Sequence, residues 1–171
     1  MKRKNNGSKG SKVVEKQLYH YTARYQAEQI IEAGYLELTP SNLIKPTDLR
    51  GVRYEDGNYG MESAISDHVK PVVWMTESLD GSEEYTKNPD MKQRIRISIP
   101  MKDSYKFWVV WARKNRMNKQ WFKDFTQNSR YGTWYISEEA IPLEDVLMIE
   151  DLTTGEVLLD NRLQSNSLAN Q

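Results

Sequence analysis

The residues best suited to chemistry stand together at Tyr19-His20-Tyr21-Thr22. A histidine at the end of a short apolar strand can turn its ring into a cleft. A threonine just ahead of a helix can cap it, because its hydroxyl accepts an early amide hydrogen bond. The N-terminus of that helix would then be a natural neighbour for phosphate. The same pattern also fits a half-buried histidine with a purely structural role. The only other histidine is His68, and there is no cysteine. Disulfides, cysteine-bound zinc, iron–sulfur clusters and thiol nucleophiles are thereby excluded, and no metal site is expected. The chain also lacks a Walker loop, G-x-G-x-x-G, G-x-S-x-G and H-E-x-x-H, so the chemistry must come from residues assembled by the fold.

A second constellation mixes bases with aromatics. Residues 102–123 carry seven lysines and arginines against one acid, Asp103, interleaved with Tyr105, Phe107, Trp108, Trp111, Trp121 and Phe122. Bases can neutralise phosphates while aromatic faces stack on unpaired bases. On a helix, however, Trp108, Trp111 and Ala112 share one face, and Arg113, Lys114 and Arg116 flank it. That is also the pattern of a core-facing helix with a charged back. Residues 134–160 hold eight acids and no lysine or arginine. The totals cancel at 24 of each sign, so a polarised surface is expected, not a net charge.

The elements that must position these residues read as follows. A strand is expected over 17–21, a helix over 23–33 with Thr22 as its cap, and a turn at Gly34. A second strand covers 35–39 and closes at Pro40. Residues 40–70 are loop-rich, with a short helix around 61–68. An apolar strand covers 72–76. Arg94 to Ile99 alternates, with Ile95, Ile97 and Ile99 on one face. Helices follow over 105–117, capped by Ser104, and over 119–127. Strands follow over 132–137, 145–150 and 156–160, the last two joined by a turn at 153–155. This order is α+β, not alternating α/β. A length of 171 residues suits one domain over 17–160, between a flexible basic tail at 1–16 and a polar tail at 161–171. No apolar run reaches the roughly 20 residues of a membrane helix, and no hydrophobic stretch follows the basic start, so a cytoplasmic protein is expected.

Leu18-Tyr19-His20-Tyr21-Thr22, followed by Ile30-Ile31-Glu32-Ala33-Gly34-Tyr35-Leu36, resembles the opening of ADP-ribosyltransferase-fold proteins. The likeness is closest to the branch holding the DNA-targeting ADP-ribosyltransferase toxins and the RNA 2′-phosphotransferases, and to bacterial relatives that open with Leu-Tyr-His-Tyr-Thr. It spans 17–77 and, more loosely, 131–150. It implies two small, mostly antiparallel sheets forming a cleft with flanking helices, and NAD as co-substrate. By this resemblance His20 would contact the adenosine ribose, with the Tyr21 backbone and the Thr22 side chain close to the dinucleotide. Pro71-Val72-Val73-Trp74-Met75-Thr76 resembles the strand whose end lines the nicotinamide pocket. Trp74, or Tyr54 or Tyr59 from the preceding loop, could then stack on the cationic ring. Trp74 equally suits an ordinary core position. Arg50 and Arg53 lie in the region matching the toxins' arginine, whose fork can hold a pyrophosphate.

The resemblance also implies a glutamate on a late strand, stabilising the charge that develops as nicotinamide leaves. Here the matching positions are Gly132 and Thr133, and the nearest carboxylates are Glu138 and Glu139. The expected function is NAD-dependent ADP-ribosylation of a nucleic acid or protein, the acceptor held by the basic segment 102–123. Two alternatives stay open. One is an inactive module of the same fold that binds a nucleotide, a nucleic acid or a protein. The other is RNA 2′-phosphate removal, which proceeds without that glutamate.

Overall fold

The computed structural model describes residues 16–45, 70–79 and 94–162. It is α+β, with one main antiparallel sheet and few helices. The chain runs β1 (Gln17–Thr22), α1 (Arg24–Ala33), β2 (Tyr35–Leu36), β3 (Val73–Thr76), β4 (Ile95–Pro100), β5 (Lys106–Phe107), α2 (Trp108–Lys114) and α3 (Lys119–Thr126). It continues through β6 (Trp134–Ser137), β7 (Ile141–Pro142), β8 (Met148–Asp151) and β9 (Val157–Asp160). Seven strands form one sheet in the order β5-β6-β3-β1-β4-β8-β9, and β2 pairs with β7 separately.

The two small sheets expected from sequence are thus replaced by a seven-stranded sheet and a two-stranded ribbon. The large sheet is nevertheless almost divided. β1 and β4 pair along six positions, Gln17 with Pro100 through Thr22 with Ile95. β1 and β3 meet only at Tyr19 and Thr76. Beyond that pair, Val72 exchanges both backbone hydrogen bonds with Thr39, at 2.8 Å each, and not with β1.

Side-chain alternation gives each sheet face its own core. On one face Leu18, Ile95, Ile97, Ile99 and Ile149 are completely buried, with Val73 and Met75 beside them and Ala27 of α1 packed above. Full burial of each isoleucine contributes about 1.5–3 kcal/mol. On the other face Trp134 and Ile136 meet α2 and α3 in an aromatic cluster. There Trp108 stacks on Phe122, with centroids 5.5 Å apart and planes 9° apart.

Several element ends differ from the sequence reading. Ala23, not Thr22, is the cap residue of α1, and the Thr22 hydroxyl donates instead to Gln26 Oε1 at 2.8 Å. α1 ends as expected at Gly34, whose N–H still donates to the Ile30 carbonyl and whose φ of +82° then turns the chain out of the helix. The helix expected from 105 begins at Trp108, because the Lys106 and Phe107 backbone pairs with Ile136 and Tyr135. The Lys16 carbonyl accepts from Met101 N, and Asn161 Nδ2 donates to the carbonyls of Leu143 and Val146, so both residues belong to the fold.

Candidate functional site

The site lies where β1 and β3 part. His20 follows Tyr19, the last residue of β1 paired to β3, and its Nδ1 donates to the Trp74 carbonyl at 2.8 Å. A side chain thus satisfies a carbonyl that a continued ladder would have used. With the proton on Nδ1, Nε2 is an acceptor, and it has no other partner among the described residues. Burial lowers the imidazole's pKa below its ordinary value, against the opposing pull of the Trp74 carbonyl. The ring is therefore neutral at physiological pH.

Open space adjoins this ring on two sides. One groove, of about 310 Å³, runs along His20, Tyr21, Pro40, Asn42, Trp74 and Thr76. The other, of about 350 Å³, lies between α1 and the chain after it, beside His20, Thr22, Gln26, Gln29, Tyr35 and Glu37. His20 and Thr39 form the wall common to both. Among the described residues, the first groove has no charged side chain in its lining, and the second has one, Glu37. Glu37, Gln26, Gln29 and Asn42 are absent from the sequence-derived candidates. Only the period-two spacing of Tyr35, Glu37 and Thr39 in the strand pattern hinted that they share a side.

The remaining candidates fall in different places. Trp74 lines the first groove, but its ring also belongs to the aromatic core. It lies 5.7 Å from Trp108 and from Trp134 between centroids, and its Nε1 donates to the Pro40 carbonyl at 3.0 Å. Thr76 is buried, with its hydroxyl 2.9 Å from that of Thr133. That contact sets Thr133, one of the two positions expected from the sequence to match a late-strand glutamate, beside a residue of the groove. The Tyr21 hydroxyl donates to the carbonyls of Ser78 and Leu79.

Glu138 and Glu139 are not brought to His20, and neither lines either groove. Glu138 pairs with Lys106 and accepts from Trp111 Nε1 at 2.8 Å, and these bonds hold its carboxyl below the usual range. Glu139 is exposed, and its backbone closes a turn with the Ser137 hydroxyl. The physical reason is the exit of β6, which turns away from the sheet toward β7 immediately after Ser137. Arg50, Arg53, Tyr54 and Tyr59, like the helix expected around 61–68, lie outside the described residues.

In the basic segment, Trp108, Trp111 and Ala112 are buried while Arg113, Lys114 and Arg116 are exposed, as a core-facing helix requires. Among the described residues no group of three or more acids or histidines is placed to hold a metal. No described helix is long and apolar enough to cross a membrane. Comparison with family models, with curated proteins and with solved structures finds no match to this chain.

Proposed function

We propose that the protein binds NAD across the divided sheet at His20 and transfers its ADP-ribose unit to a macromolecular acceptor. The observation that carries this reading is the His20 ring itself. It is fixed at Nδ1, is neutral, keeps Nε2 as an acceptor, and is flanked by open grooves. A ribose hydroxyl is the kind of donor that nitrogen would take. Each groove alone is at the low end for a small-molecule pocket, about 300–1,000 Å³. Their common wall suits an elongated ligand lying over the imidazole from one side to the other.

In the transfer, the bond from the ribose anomeric carbon to the nicotinamide nitrogen breaks, and its electron pair leaves with nicotinamide. An acceptor oxygen or nitrogen then attacks the cationic carbon and gives up its proton to solvent. Glu37 is the one described carboxylate in the grooves and takes the charge-stabilising role that Glu138 and Glu139 cannot reach.

A second reading is binding without turnover, favoured by the displacement of Glu138 and Glu139 from the grooves. Calorimetric titration with NAD tests the binding step, and release of labelled nicotinamide in the presence of cell lysate tests the transfer. We expect saturable binding that His20→Ala weakens at least about tenfold, the scale of one hydrogen bond in a desolvated site. Glu37→Gln should keep binding and lose nicotinamide release. NAD binding with no release in any lysate would establish the second reading. No binding by the parent protein would sink both.

A further inference from the structure

A third groove lies away from His20 and has the opposite electrostatic character. It holds about 420 Å³ and is lined by Lys70, Lys106 and Lys114, together with Phe107, Val110 and Glu138. Among the described residues of the lining, the lysines outnumber the one carboxylate by two. Glu138 is already committed to Lys106 and to the Trp111 indole N–H. Lys70 spends one donor on Asn115 Oδ1, at 2.5 Å, and has two more to offer. Lys114 is exposed, with no partner among the described residues. The same groove is also lined by apolar surface. Val110 is 63% exposed, and the half-buried Phe107 lines the same groove.

We propose that this groove binds a phosphate ester carried on an apolar or aromatic group, with Lys70 and Lys114 on the phosphate and Phe107 and Val110 under the apolar part. Each ammonium is a compact charge with several donors, which suits a phosphate that accepts from several directions at once. The apolar floor separates this site from a lysine cluster that merely collects counter-ions, since it rewards the group attached to the phosphate. Glu138 sets a polarity rule of its own: while ionised it opposes the anion, and it holds Lys106 away from it. The site needs nothing from the NAD reading.

The probe is phenyl phosphate, with inorganic phosphate as the comparison, titrated into the isotopically labelled full chain. The readout is the assigned indole N–H signals of its five tryptophans. The Trp111 indole, bonded to Glu138, reports on this groove, and the Trp74 indole reports on the groove at His20. We expect a saturable shift at Trp111 with little change at Trp74, and phenyl phosphate binding about tenfold tighter than phosphate. Lys70→Gln combined with Lys114→Gln should weaken binding about tenfold per lysine, the scale of a charge-assisted hydrogen bond. Glu138→Gln should act in the opposite direction and tighten it, while its amide oxygen still accepts from Trp111.

A single-stranded tetranucleotide as a second probe distinguishes a free ester from a nucleotide within a strand. Tighter binding with a salt slope near 0.7 per phosphate assigns the strand, and binding no tighter than phenyl phosphate assigns the free ester. Equal binding of phosphate and phenyl phosphate would overturn the proposal. So would a Trp111 shift indifferent to the lysine substitutions, or a Glu138→Gln protein that binds more weakly.

Discussion

The imidazole of His20 takes the place of a missing ladder bond, and its replacement separates that structural role from any role in binding. His20→Ala leaves the Trp74 carbonyl without its donor. An unsatisfied buried acceptor costs about 1–3 kcal/mol, and the adjoining groove lets water reach this one, so about 1 kcal/mol is expected. His20→Asn puts an amide N–H where Nδ1 stood and should restore most of that loss.

The asparagine variant also removes a titration. Burial lowers the folded-state pKa from its ordinary 6.5, so the unfolded chain takes up the proton first as pH falls. The stability that depends on a neutral ring is complete above 6.5 and is lost as pH drops from there toward the folded-state value. At about one pH unit below the unfolded value, the loss reaches roughly 1.4 kcal/mol if the folded ring stays neutral. Urea unfolding of the parent and His20→Asn proteins, at intervals from about pH 8 to pH 5, measures the difference directly. The parent should lose ground to the variant only below about pH 6.5. A difference that stays flat across that range would refute the neutral-ring assignment. A His20→Ala protein as stable as His20→Asn would refute the bond to Trp74.

Two further outcomes follow from the described contacts. The Asn118 side chain accepts from the amides of Gln120 and Trp121 at the start of α3, so Asn118→Ala should cost about 1 kcal/mol in urea unfolding. Because α3 carries Trp121, Phe122 and Phe125 onto the aromatic core, near-ultraviolet circular dichroism should change with it. Tyr105 is raised to about 12, by burial first and by the charge of Asp145 second. Absorbance titration should show it among the last of the ten tyrosines to ionise, with the final step missing in Tyr105→Phe. Since the unfolded phenol ionises near 10, this group's contribution to stability should fall as pH rises from there toward 12.

What was legible in the sequence were the elements whose period comes from burial. Ile95, Ile97 and Ile99 alternate because one face of β4 is core, and all three are fully buried. Trp108, Trp111 and Ala112 turn inward for the same reason at helical spacing. Gly34 was legible because only the left-handed region ends α1 as it does. Pairings made by the backbone were not. Nothing in Lys106-Phe107 announces a strand, since its partner on β6 is nearly thirty residues further on. The near-division between β1 and β3 was equally hidden. It depends on Thr39 capturing Val72, a contact between exposed and apolar residues with no shared pattern. The sequence pattern sets His20 near a strand end, whereas β1 runs on to Thr22 and His20 pairs with Ile97 inside it; its hydrogen-bond partner and the grooves beside it needed the third dimension.

The charge pattern shows how much a linear reading can mislead about a surface. The basic segment 102–123 and the acidic segment 134–160 suggest two opposed faces. In the fold, β5 pairs with β6, and this sets Lys106 against Glu138. Lys102 meets Asp145 at 2.5 Å, so the front of the basic segment is neutralised by the acidic one. Arg96 and Glu150 repeat the pairing across β4 and β8. The positive charge that survives is at the back of α2 and beyond it, on the exposed Arg113, Lys114, Arg116, Lys119 and Lys123. Surface pairs of the Lys102 kind add little stability, and their cancellation matters more for what the protein attracts. Any salt-dependent association should therefore respond to substitution of Lys114 and its neighbours far more than to substitution of Lys102, although the sequence gives them equal standing.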